Sequence, residues 1–583
     1  MELRNVAIVA HVDHGKTTLV DALLKETTKS SKQLASRAMD QLELEKERGI
    51  TILAKNTAIF YEGVKINILD TPGHHDFGGE VERIISMVDA VCLVVDAFEG
   101  VMPQTKFVLE KALLENLQII VVINKMDRPI IRPKEVLDEI YQLFIDLKAS
   151  AKQLDFPIVY TSASEQVASL NSDLKNADNM VPLLKVIVDY VEPPKTVLGS
   201  LQFQPTILDY NDYVGRIGIG KVMRGKLELN QLVSVQRKSE IIDFRILKIF
   251  SFDGLKRIEL KEANQGDIVA IAGLADLTVG ETVNDYHLID KLPEITIEKP
   301  RVEMTFSVNT SFLAGLEGKY VTSKNISERL FKESQKDVSL LVEKLSNDSW
   351  LVKGRGELHL SILIETMKRE GYEFIVSKPQ VILKEEEGVI KEPYELLVVH
   401  IPTFSLGNVM ELFLNRNGIL MVTENINNNL KLNFEIPAKS LIGLKSTFLS
   451  ITNGEGLMNH AFLEYRPQTK TAINRNSGSL IANNSGYATS YALSRLEERG
   501  VIFISPKTKV YPEMIIGERN KSGDLYVNVT QEKQLTNVRS ATKEKTIVLK
   551  KQRQMSLEMC LSFIKDDEVV EVTPQNVRMY KKS

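Results

Sequence analysis

A strand, a tight loop and a helix follow one another at the N-terminus of this 583-residue chain, and this arrangement constrains the fold more than any other feature. The apolar residues 6–9 precede the loop AHVDHGKT (10–17), and an apolar pattern with helical spacing follows it. The loop matches the phosphate-loop pattern G-x-x-x-x-G-K-[ST], except that Ala10 replaces the first glycine. Backbone N–H groups of such loops bind phosphate at a helix N-terminus. The sequence therefore predicts an α/β domain that binds a nucleotide, although this motif alone could be an ordinary turn between a strand and a helix.

The side chains at the end of this loop supply a cation and a hydroxyl. We expect Lys16 to contact the β- and γ-phosphates and the hydroxyl of Thr17 to bind Mg²⁺. The other predicted phosphate-binding residues are Asp13, His14, Gly15 and Thr18.

A carboxylate ends the next apolar strand. Asp70 follows residues 66–69 and begins the motif DTPGH (70–74). A carboxylate behind a phosphate loop can hold Mg²⁺ through a water molecule, and we predict this role for Asp70. The backbone N–H of Gly73 can donate a hydrogen bond to the γ-phosphate.

The motif NKMD (124–127) closes the apolar strand 119–123 and selects the base. The carboxylate of Asp127 can accept hydrogen bonds from N1–H and the exocyclic amine of guanine, and adenine offers neither donor. We expect Asn124 to stabilise the pocket and the aliphatic part of Lys125 to lie against the purine. Taken alone, a motif of this length could be a turn at the end of a strand.

Ser162 and Ala163 follow the strand 158–160 and complete the pattern. Their backbone N–H groups can donate to guanine O6, which again disfavours adenine. The dipeptide carries little weight by itself. The order and spacing of all these motifs predict GTP and GDP as ligands, and hydrolysis of GTP to GDP and phosphate as the reaction.

A further segment, RGITI (48–52), lies between the first helix and the strand before DTPGH. Together with HVDHGKTT (11–18), DTPGH and NKMD, it resembles the translational GTPases of the elongation-factor class. The resemblance implies that Thr51 binds Mg²⁺ until the γ-phosphate leaves, and that His74 orients the attacking water. The implied catalytic residues are therefore His74, Lys16 and Thr51.

The same resemblance implies roles for three residues around the phosphate loop. Val12 and Ile50 match the apolar pair that holds His74 aside until activation. Asp13 matches an acidic residue that holds a monovalent cation beside the phosphates. From the residues alone, His74 could equally be a histidine in a loop after a Pro-Gly turn.

Longer segments narrow the resemblance to the BipA/TypA family of bacterial ribosome-associated GTPases. These segments are 44–56 (LEKERGITILAKN), 70–83 (DTPGHHDFGGEVER), 96–100 (DAFEG), 356–365 (GELHLSILIE), 454–460 (GEGLMNH), 535–539 (LTNVR) and 570–574 (VEVTP). The resemblance implies a monomer that binds both subunits of the ribosome at the elongation-factor site, with rRNA and also tRNA as RNA partners. It further implies that ribosomes stimulate GTP hydrolysis, and that the protein acts in ribosome assembly and translation under stress or at low temperature.

The pattern of predicted elements divides the chain into five domains. Strands and helices alternate in residues 1–197, which predicts a P-loop GTPase domain with a doubly wound, mostly parallel sheet. Short alternating strands with turn residues predict a β-barrel in 198–297. Mixed patterns predict two α/β sandwiches, 298–385 and 386–470, that resemble domains III and V of elongation factors. A mixed C-terminal domain, 471–583, is expected to contact RNA.

Two helix starts are visible in the later domains. The segment GRGELHL (354–360) predicts a turn into a helix over 358–370. His359 is interpreted as a structural residue of that helix, because no nucleophile or metal ligand lies nearby in the sequence. Near the C-terminus, residues 555–564 predict an amphipathic helix for which Ser556 is a candidate cap.

A basic segment precedes that last helix. Residues 539–553 contain six basic side chains and one acidic side chain. Such a segment can bind RNA phosphates through sequence-independent attraction, and a solvated charged face is the alternative. The candidate RNA contacts are Arg539, Lys543, Lys545, Lys550, Lys551 and Arg553.

Composition restricts the remaining alternatives. The formal net charge is -4, so the chain as a whole lacks a basic field, although a local basic face is compatible with this value. Cys92 and Cys560 are far apart and form no zinc or disulfide pattern. No apolar run is long enough to cross a membrane and no signal peptide precedes the first strand, so we predict a cytoplasmic protein.

Two other functions are compatible with the sequence. GTP could dock the protein on a partner as a regulatory switch, with hydrolysis serving only to reset it. The other is a translocase-like or ribosome-protection factor. The short distance between Pro379 and Pro393 argues against it, because a translocase carries a long domain there.

Overall fold

The computed structural model of the chain describes residues 2–27, 43–48, 51, 54–72, 78–211, 213–237, 240–254, 256–295, 299–426, 429–469, 475, 477–532 and 549–582. The chain divides into two compact units, which are Met1–Glu298 with Gln335–Ser339, and Lys299–Ser334 with Leu340–Ser583. Within the described ranges, every helix falls short of the length and apolar character that crossing a membrane requires.

The N-terminal unit begins with a seven-stranded sheet. Its strands are β1 (Glu2–Ala10), β2 (Lys55–Tyr61), β3 (Val64–Asp70), β4 (Ala90–Asp96), β5 (Gln118–Asn124), β6 (Ile158–Ser162) and β7 (Val167–Ser169). Its helices are α1 (Lys16–Thr27), α2 (Glu43–Arg48), α3 (Gly78–Ile85), α4 (Pro103–Leu114), α5 (Pro133–Asp146) and α6 (Val181–Tyr190). The strand order is β2-β3-β1-β4-β5-β6-β7. The inner strands pair in parallel, and β2 and β7 pair antiparallel at the two edges, which confirms the predicted doubly wound sheet.

Two hydrophobic layers cover this sheet, because successive residues of a buried strand point to opposite faces. In β1, Ala7 and Val9 belong to the layer that contains residues of α3, α4 and α5. Val6 and Ile8 belong to the other layer, which contains residues of α1 and α6. Because β1, β3, β5 and β6 run in the same direction, the loops at their carboxyl ends lie along one edge of the sheet, where such folds bind ligands.

An antiparallel eight-stranded sheet and a separate two-stranded sheet follow in this unit and correspond to the predicted β-barrel. The barrel strands are β8 (Gln202–Asn211), β9 (Gly215–Arg224), β10 (Lys226–Glu228), β11 (Leu232–Arg237), β12 (Glu240–Arg245), β13 (Lys248–Asp253), β14 (Lys256–Leu260), β15 (Glu262–Asn264), β16 (Ile268–Ala272) and β17 (Val283–Asp285). The strand order in the large sheet is β12-β11-β17-β8-β9-β16-β13-β14, and β10 pairs separately with β15. Its core includes Phe203, Val233 and Val269, all fully buried.

A polar network joins the barrel to the seven-stranded sheet within this unit. Nζ of Lys65 lies 2.7 Å from Oδ1 of Asp267 and donates to Oγ of Ser251 at 2.9 Å. Nδ2 of Asn67 donates to Oδ1 of Asn5 at 2.8 Å and to Oδ1 of Asp267 at 3.1 Å. These hydrogen bonds between buried polar groups favour one orientation of the barrel against the sheet.

The C-terminal unit contains an eleven-stranded sheet and a five-stranded sheet. The strands up to residue 470 are β18 (Val302–Val308), β19 (Leu341–Lys344), β20 (Ser349–Gly354), β21 (Phe374–Val376), β22 (Gln380–Val381), β23 (Lys384–Glu386), β24 (Val389–Pro402), β25 (Ile419–Ile426), β26 (Asn429–Pro437) and β27 (Leu457–Pro467). The later strands are β28 (Ser479–Ala482), β29 (Gly486–Tyr487), β30 (Gly500–Ile502), β31 (Lys509–Val510), β32 (Met514–Arg519), β33 (Leu525–Val527), β34 (Glu568–Val572) and β35 (Val577–Lys581). The helices are α7 (Ser323–Lys336), α8 (Glu357–Arg369), α9 (Leu406–Leu414), α10 (Leu444–Ile451), α11 (Ser490–Leu496) and α12 (Leu557–Phe563).

The eleven-stranded sheet joins two parts of the chain that are distant in sequence. Its main path is β19-β20-β18-β21-β34-β35-β32-β28-β33. The link is the antiparallel pair of β21 and β34, in which Phe374 lies opposite Val572 and Ile375 lies opposite Glu571. Strands from 298–385 and from 471–583 thus belong to one sheet.

The five-stranded sheet consists of β23 to β27 and packs against α9 and α10. Phe413 of α9 lies between Phe434 of β26, with ring centroids 4.9 Å apart, and Phe448 of α10, with ring centroids 6.1 Å apart. All three rings are fully buried. The sheets of both units confirm the predicted multidomain α/β and β architecture.

A buried carboxylate stabilises the joined sheet. Glu571 is fully buried, and its Oε1 accepts hydrogen bonds from Nδ2 of Asn309 at 2.9 Å and Oγ of Ser311 at 2.5 Å. Its Oε2 accepts from the hydroxyl of Tyr511 at 2.8 Å and from Arg578 at 3.4 Å. Burial, and then the charge of Glu571, raise the pKa of the Tyr511 hydroxyl, so this group remains a donor.

We predict that Tyr511→Phe lowers the free energy of unfolding by about 1–2 kcal/mol, because it removes one donor from the buried Glu571 carboxylate. The matched control is Tyr526→Phe. The hydroxyl of Tyr526 donates to Glu513 at 3.0 Å on the surface, so its loss should change stability by less than about 0.5 kcal/mol. Urea unfolding followed by the fluorescence of Trp350, the single tryptophan, measures both variants. Equal losses in the two variants would contradict the role of the buried network.

Candidate nucleotide-binding site

The phosphate loop leaves β1 at Ala10 and enters α1 at Lys16. Asp13 and Gly15 adopt left-handed backbone conformations, with φ of 62° and 90° respectively. A Cβ atom at position 15 would overlap the side-chain amide of Asn124, so the close approach of loop and amide requires glycine. The first N–H groups of α1, which have no intrahelical partners, are thereby presented at the edge of the sheet.

Four side chains converge at the start of α1. Nζ of Lys16 is 2.7 Å from Oδ1 of Asp70 and 2.9 Å from Oγ1 of Thr51. The hydroxyl of Thr51 lies 2.8 Å from that of Thr17 and 3.5 Å from Oδ2 of Asp70. Lys16, Thr51 and Asp70 are buried. The structure thus brings together residues that the sequence supplies from three separate segments.

The oxygen atoms of this cluster are suitable ligands for Mg²⁺. Magnesium prefers hard oxygen ligands and usually keeps several waters, and the cluster offers two hydroxyl oxygens and one carboxylate within hydrogen-bonding reach of one another. Nearby, the ammonium group of Lys16 supplies a positive charge that can attract phosphate. Among the described residues, no group of three or more His, Cys, Asp or Glu side chains could hold another metal ion.

Asn124 connects the phosphate loop to the end of β6. Its Nδ2 donates to the backbone carbonyl of His14 at 2.9 Å. Its Oδ1 accepts from Oγ1 of Thr161 at 3.0 Å and from the backbone N–H of Ala163 at 3.1 Å. The N–H of Ala163, for which guanine O6 is the predicted acceptor, has a protein acceptor in this structure.

The carboxylate of Asp127 is exposed, and two serines orient it. Its Oδ1 accepts from Oγ of Ser162 at 2.9 Å, and its Oδ2 accepts from Oγ of Ser164 at 3.1 Å. An accessible carboxylate of fixed orientation can accept further hydrogen bonds from a base. N1–H and the exocyclic amine of guanine are suitable donors, so this geometry fits the predicted base preference.

A charged cluster holds the phosphate loop from the side of β4. His14 is fully buried, and its Nδ1 accepts a hydrogen bond from the N–H of Asp96 at 3.3 Å. The ring proton is therefore assigned to Nε2, which lies 3.5 Å from Oε2 of Glu99. Oδ2 of Asp96 is 3.0 Å from Nζ of Lys125. Arg128 contacts Asp96 at 3.1 Å and Glu99 at 3.3 Å.

Glu99 is ionised at neutral pH and links two loops of the site. Burial by itself raises the pKa of Glu99. The interaction with Nε2–H of His14 and the positive charges of Lys125 and Arg128 outweigh this effect and lower the pKa from 4.5 to about 2. The carboxylate therefore connects the phosphate loop to the loop that carries Asp127.

The other residues predicted around the phosphate loop differ in exposure. Val12 and Thr18 are half-buried, and Asp13 is exposed. Six predicted site residues lie outside the described part of the chain, namely Ile50, Gly73, His74, Arg539, Lys543 and Lys545.

Three of the basic residues near the C-terminus lie within the described residues. Lys550 and Lys551 are exposed. Arg553 is also exposed, and its guanidinium lies 2.9 Å from Oε2 of Glu518. The charge of Arg553 is thus partly balanced by a neighbouring carboxylate, whereas the side chains of both lysines extend from the surface.

Sequence reasoning gave no role to four residues that hold the site. Thr161 and Ser164 orient the base-binding motifs, and Asp96 and Glu99 hold charged residues of the phosphate and base loops. The segment 96–100 had already contributed to the family resemblance, which was the available signal. Its contacts could not be inferred, because the partners of these residues lie far away in sequence.

Models of four domain families match this chain. The elongation factor Tu GTP binding domain matches residues 1–193, and elongation factor Tu domain 2 matches 215–283. The elongation factor G C-terminus matches 389–476, and the TypA/BipA C-terminal domain matches 477–583.

Similar full-length proteins bear the name large ribosomal subunit assembly factor BipA. The chain is 53% identical to the protein of Bacillus subtilis over 588 residues, which cover 100% of this chain and 96% of the relative. It is 48% identical to that of Synechocystis sp., with 100% and 98% covered, and 47% identical to that of Escherichia coli K12, with 100% and 97% covered. A solved structure from Thermus thermophilus covers 80% of this chain and 98% of its own, with a TM-score of 0.55 and 16% identity, which shows a shared fold.

We predict that Glu99→Gln lowers the free energy of unfolding at pH 7 by about 1.5–3 kcal/mol, because hydrogen bonds to a charged group are lost. The pKa of Glu99 is about 2 in the folded protein, below its ordinary value of 4.5. Its stabilising effect is therefore complete above pH 4.5 and is lost as the pH falls towards 2. The difference between wild type and variant should shrink across this window in urea unfolding followed by circular dichroism.

The matched control is Glu110→Gln, because Glu110 is exposed on α4. Its unfolding free energy should differ from that of wild type by less than about 0.5 kcal/mol at every pH. A loss in Glu99→Gln that did not depend on pH would contradict the assigned ionisation.

Proposed function

Because this chain belongs to the BipA/TypA family of translational GTPases, we propose that it hydrolyses GTP on the ribosome and acts in assembly of the large ribosomal subunit. The observation that carries the proposal is the convergence of Lys16, Thr17, Thr51 and Asp70 at the edge of the sheet. The names of the full-length relatives support the role in ribosome assembly. A role in translation under stress or at low temperature rests on the family resemblance.

The proposed reaction is direct attack of water on the γ-phosphate of GTP. Lys16 exchanges its contact with Asp70 for the β- and γ-phosphate oxygens, and its charge stabilises the transition state. The hydroxyls of Thr17 and Thr51 would hold Mg²⁺, and the carboxylate of Asp70 would hold it through water. When bound, this ion neutralises charge on the phosphates. The N–H of Gly73 donates to the γ-phosphate.

His74 is the residue that we propose to orient the attacking water. Val12 and Ile50 hold its side chain aside until the ribosome engages the protein, and Asp13 holds a monovalent cation beside the phosphates. These roles rest on the family resemblance.

Guanine is selected by the loops after β5 and β6. Asp127 accepts from N1–H and the exocyclic amine, and Lys125 covers the purine. Ser162 and Ala163 contribute the N–H groups that face O6, which requires the Ala163 N–H to be shared with, or released from, Asn124.

We propose that the protein is cytoplasmic and monomeric and that it binds both ribosomal subunits. Its division into domains 1–197, 198–297, 298–385, 386–470 and 471–583 remains a proposal, with the last domain contacting rRNA and tRNA. The match of 477–583 to the TypA/BipA C-terminal domain supports a family-specific role for that domain. The proposed RNA contacts are Arg539, Lys543, Lys545, Lys550, Lys551 and Arg553.

We expect Asp127→Asn to weaken GTP binding by about 100-fold or more, because two hydrogen bonds to a charged group together contribute about 3 kcal/mol or more. An amide can donate to the oxygen that xanthine carries at C2, so xanthosine triphosphate should bind this variant better than GTP does. Equilibrium titration with both nucleotides measures the change. The exposed carboxylate of Asp138 on α5 provides the control Asp138→Asn, which should bind GTP like wild type. Unchanged guanine selectivity in Asp127→Asn would reject the base-binding assignment.

Multiple-turnover GTP hydrolysis, with and without bacterial ribosomes at two salt concentrations, tests the function itself. Wild type should be strongly stimulated by ribosomes, and less so at high salt, because charged contacts are screened. His74→Ala should bind GTP like wild type but lose about 100-fold or more of the stimulated turnover. His75→Ala is the neighbouring control and should remain stimulated.

The outcomes separate the parts of this proposal. Wild type that ribosomes fail to stimulate would reject the ribosomal function. Full stimulation of His74→Ala would reject the role of His74. A variant deficient in hydrolysis that still supports ribosome assembly in cells would show that hydrolysis only resets a binding switch.

A further inference from the structure

An unpaired charge is buried in the C-terminal unit beside α8. Arg355 is only 2% exposed. Among the residues that the structure describes, none is a hydrogen-bond partner of its guanidinium nitrogens Nε, Nη1 and Nη2. Within the part of the chain that the structure describes, no carboxylate forms an ion pair with Arg355. A charge that leaves water without a compensating partner is costly, so a buried guanidinium in this state points to an anion as its partner.

The position of Arg355 on the helix strengthens this inference. It directly precedes Gly356, the N-cap residue of the thirteen-residue helix α8. The backbone N–H of Arg355 donates to Nδ1 of His359 in the first helical turn at 3.4 Å, which ties the residue to this end of the helix. Gly356 provides no side-chain cap for the N–H groups of that turn. Arg355 thus adjoins the N-terminal end of α8, which carries the positive end of the helix dipole.

The surroundings of this helix end are closely packed. The N–H of Gly443 donates to Oε2 of Glu357 at 3.4 Å, so the acidic side chain that begins α8 is bound to a neighbouring turn. A Cβ atom at Gly443 would overlap the side chain of Ser562, which places α12 close to the same turn. Because Arg355 is only 2% exposed, a ligand that reaches it must be small, and a polymer such as RNA could not bring a backbone phosphate to it.

We propose that Arg355 and the N-terminus of α8 bind a small free oxyanion of the size and shape of inorganic phosphate. A planar guanidinium can donate two parallel hydrogen bonds to two oxygens of such an ion. The N–H groups of the first helical turn can donate to a further oxygen. Since the guanidinium is out of contact with solvent, the ion enters through local opening of the structure around this turn. The site is separate from the nucleotide pocket and does not depend on the proposed GTPase activity.

Equilibrium dialysis with radiolabelled inorganic phosphate tests this site in the full chain. Saturating non-hydrolysable GTP analogue and Mg²⁺ are present throughout, so that the nucleotide pocket is filled, and the ionic strength is held constant with potassium chloride. Wild type should bind one phosphate per chain, and excess sulfate should displace it because the two ions share shape and charge. Arg355→Gln should weaken binding by about tenfold or more, since the guanidinium is lost.

The matched control is Arg329→Gln. Arg329 is also largely buried in this unit, but it is paired with Glu333 at 2.5 Å and with Glu370 at 2.5 Å. Its replacement removes a guanidinium whose carboxylate partners are present in the protein. Phosphate binding should therefore be unchanged in Arg329→Gln, even if that variant is less stable than wild type.

Thermal unfolding gives a second readout of phosphate binding, beside the dialysis of wild type, which does not require Arg355→Gln to fold. Trp350 lies in β20, the strand that leads to Arg355, and its fluorescence reports on this region. Phosphate should raise the Tm of wild type relative to chloride at equal ionic strength, because a ligand that binds the native state stabilises it. Arg355→Gln should lose this increase and, without phosphate, should be at least as stable as wild type, because a buried unpaired charge is removed.

Several results would overturn the proposal. Wild type that binds no phosphate up to about 10 mM and gains no Tm would show that water satisfies the guanidinium. Phosphate binding that persists undiminished in Arg355→Gln would place the ion elsewhere. Equal weakening in Arg355→Gln and Arg329→Gln would show that both variants act through general stability.

Discussion

The parallel pairing of β1 with β3 and β4 is the constraint on which the nucleotide-binding site depends. Ile8 of β1 lies opposite Asp70 of β3. The backbone N–H and the hydroxyl of Thr71 both donate to the carbonyl of Ile8, at 3.4 Å and 3.0 Å, and hold this register. A shift of one residue would turn the Asp70 carboxylate to the opposite face of the sheet, away from Lys16. The arrangement of Lys16 and Asp70 therefore depends on backbone hydrogen bonds made deep in the sheet.

Charge balance keeps this polar edge stable within a buried environment. Lys16 and Asp70 neutralise each other at 2.7 Å, so neither charge is left unpaired in the structure. Asp96 and Glu99 likewise have polar partners beside the phosphate loop, since Asp96 contacts Lys125 and Glu99 contacts His14. Glu99 also contacts Arg128, the residue after the base-binding motif, so displacement of either loop would break contacts with the other. This coupling holds the phosphate loop and the loop that carries Asp127 in one arrangement.

In the C-terminal unit, the sequence pattern suggests separate domains, but one β-sheet contains strands from both of them. The patterns of 298–385 and 471–583 each look like a separate α/β domain. The pairing of β21 with β34 nevertheless forms one sheet from both, and the buried Glu571 receives hydrogen bonds from each part. Buried hydrogen bonds of this kind hold the two parts of the chain in one arrangement, because separating them would leave a charge without partners.

The sequence alone determined the features that depend on near neighbours. The phosphate loop, the alternation of strands and helices, and the cap at Ser556, which accepts from the N–H of Met559 at 3.2 Å, are set by spacing within a few residues. The tertiary structure alone decided which distant groups meet. It joined Lys16 to Thr51 and Asp70, gave Asn124 its partners, and buried Arg355 without a partner among the described residues. The reason is physical: periodicity and capping are local, whereas register, burial and charge pairing arise from chain segments that contact only after folding.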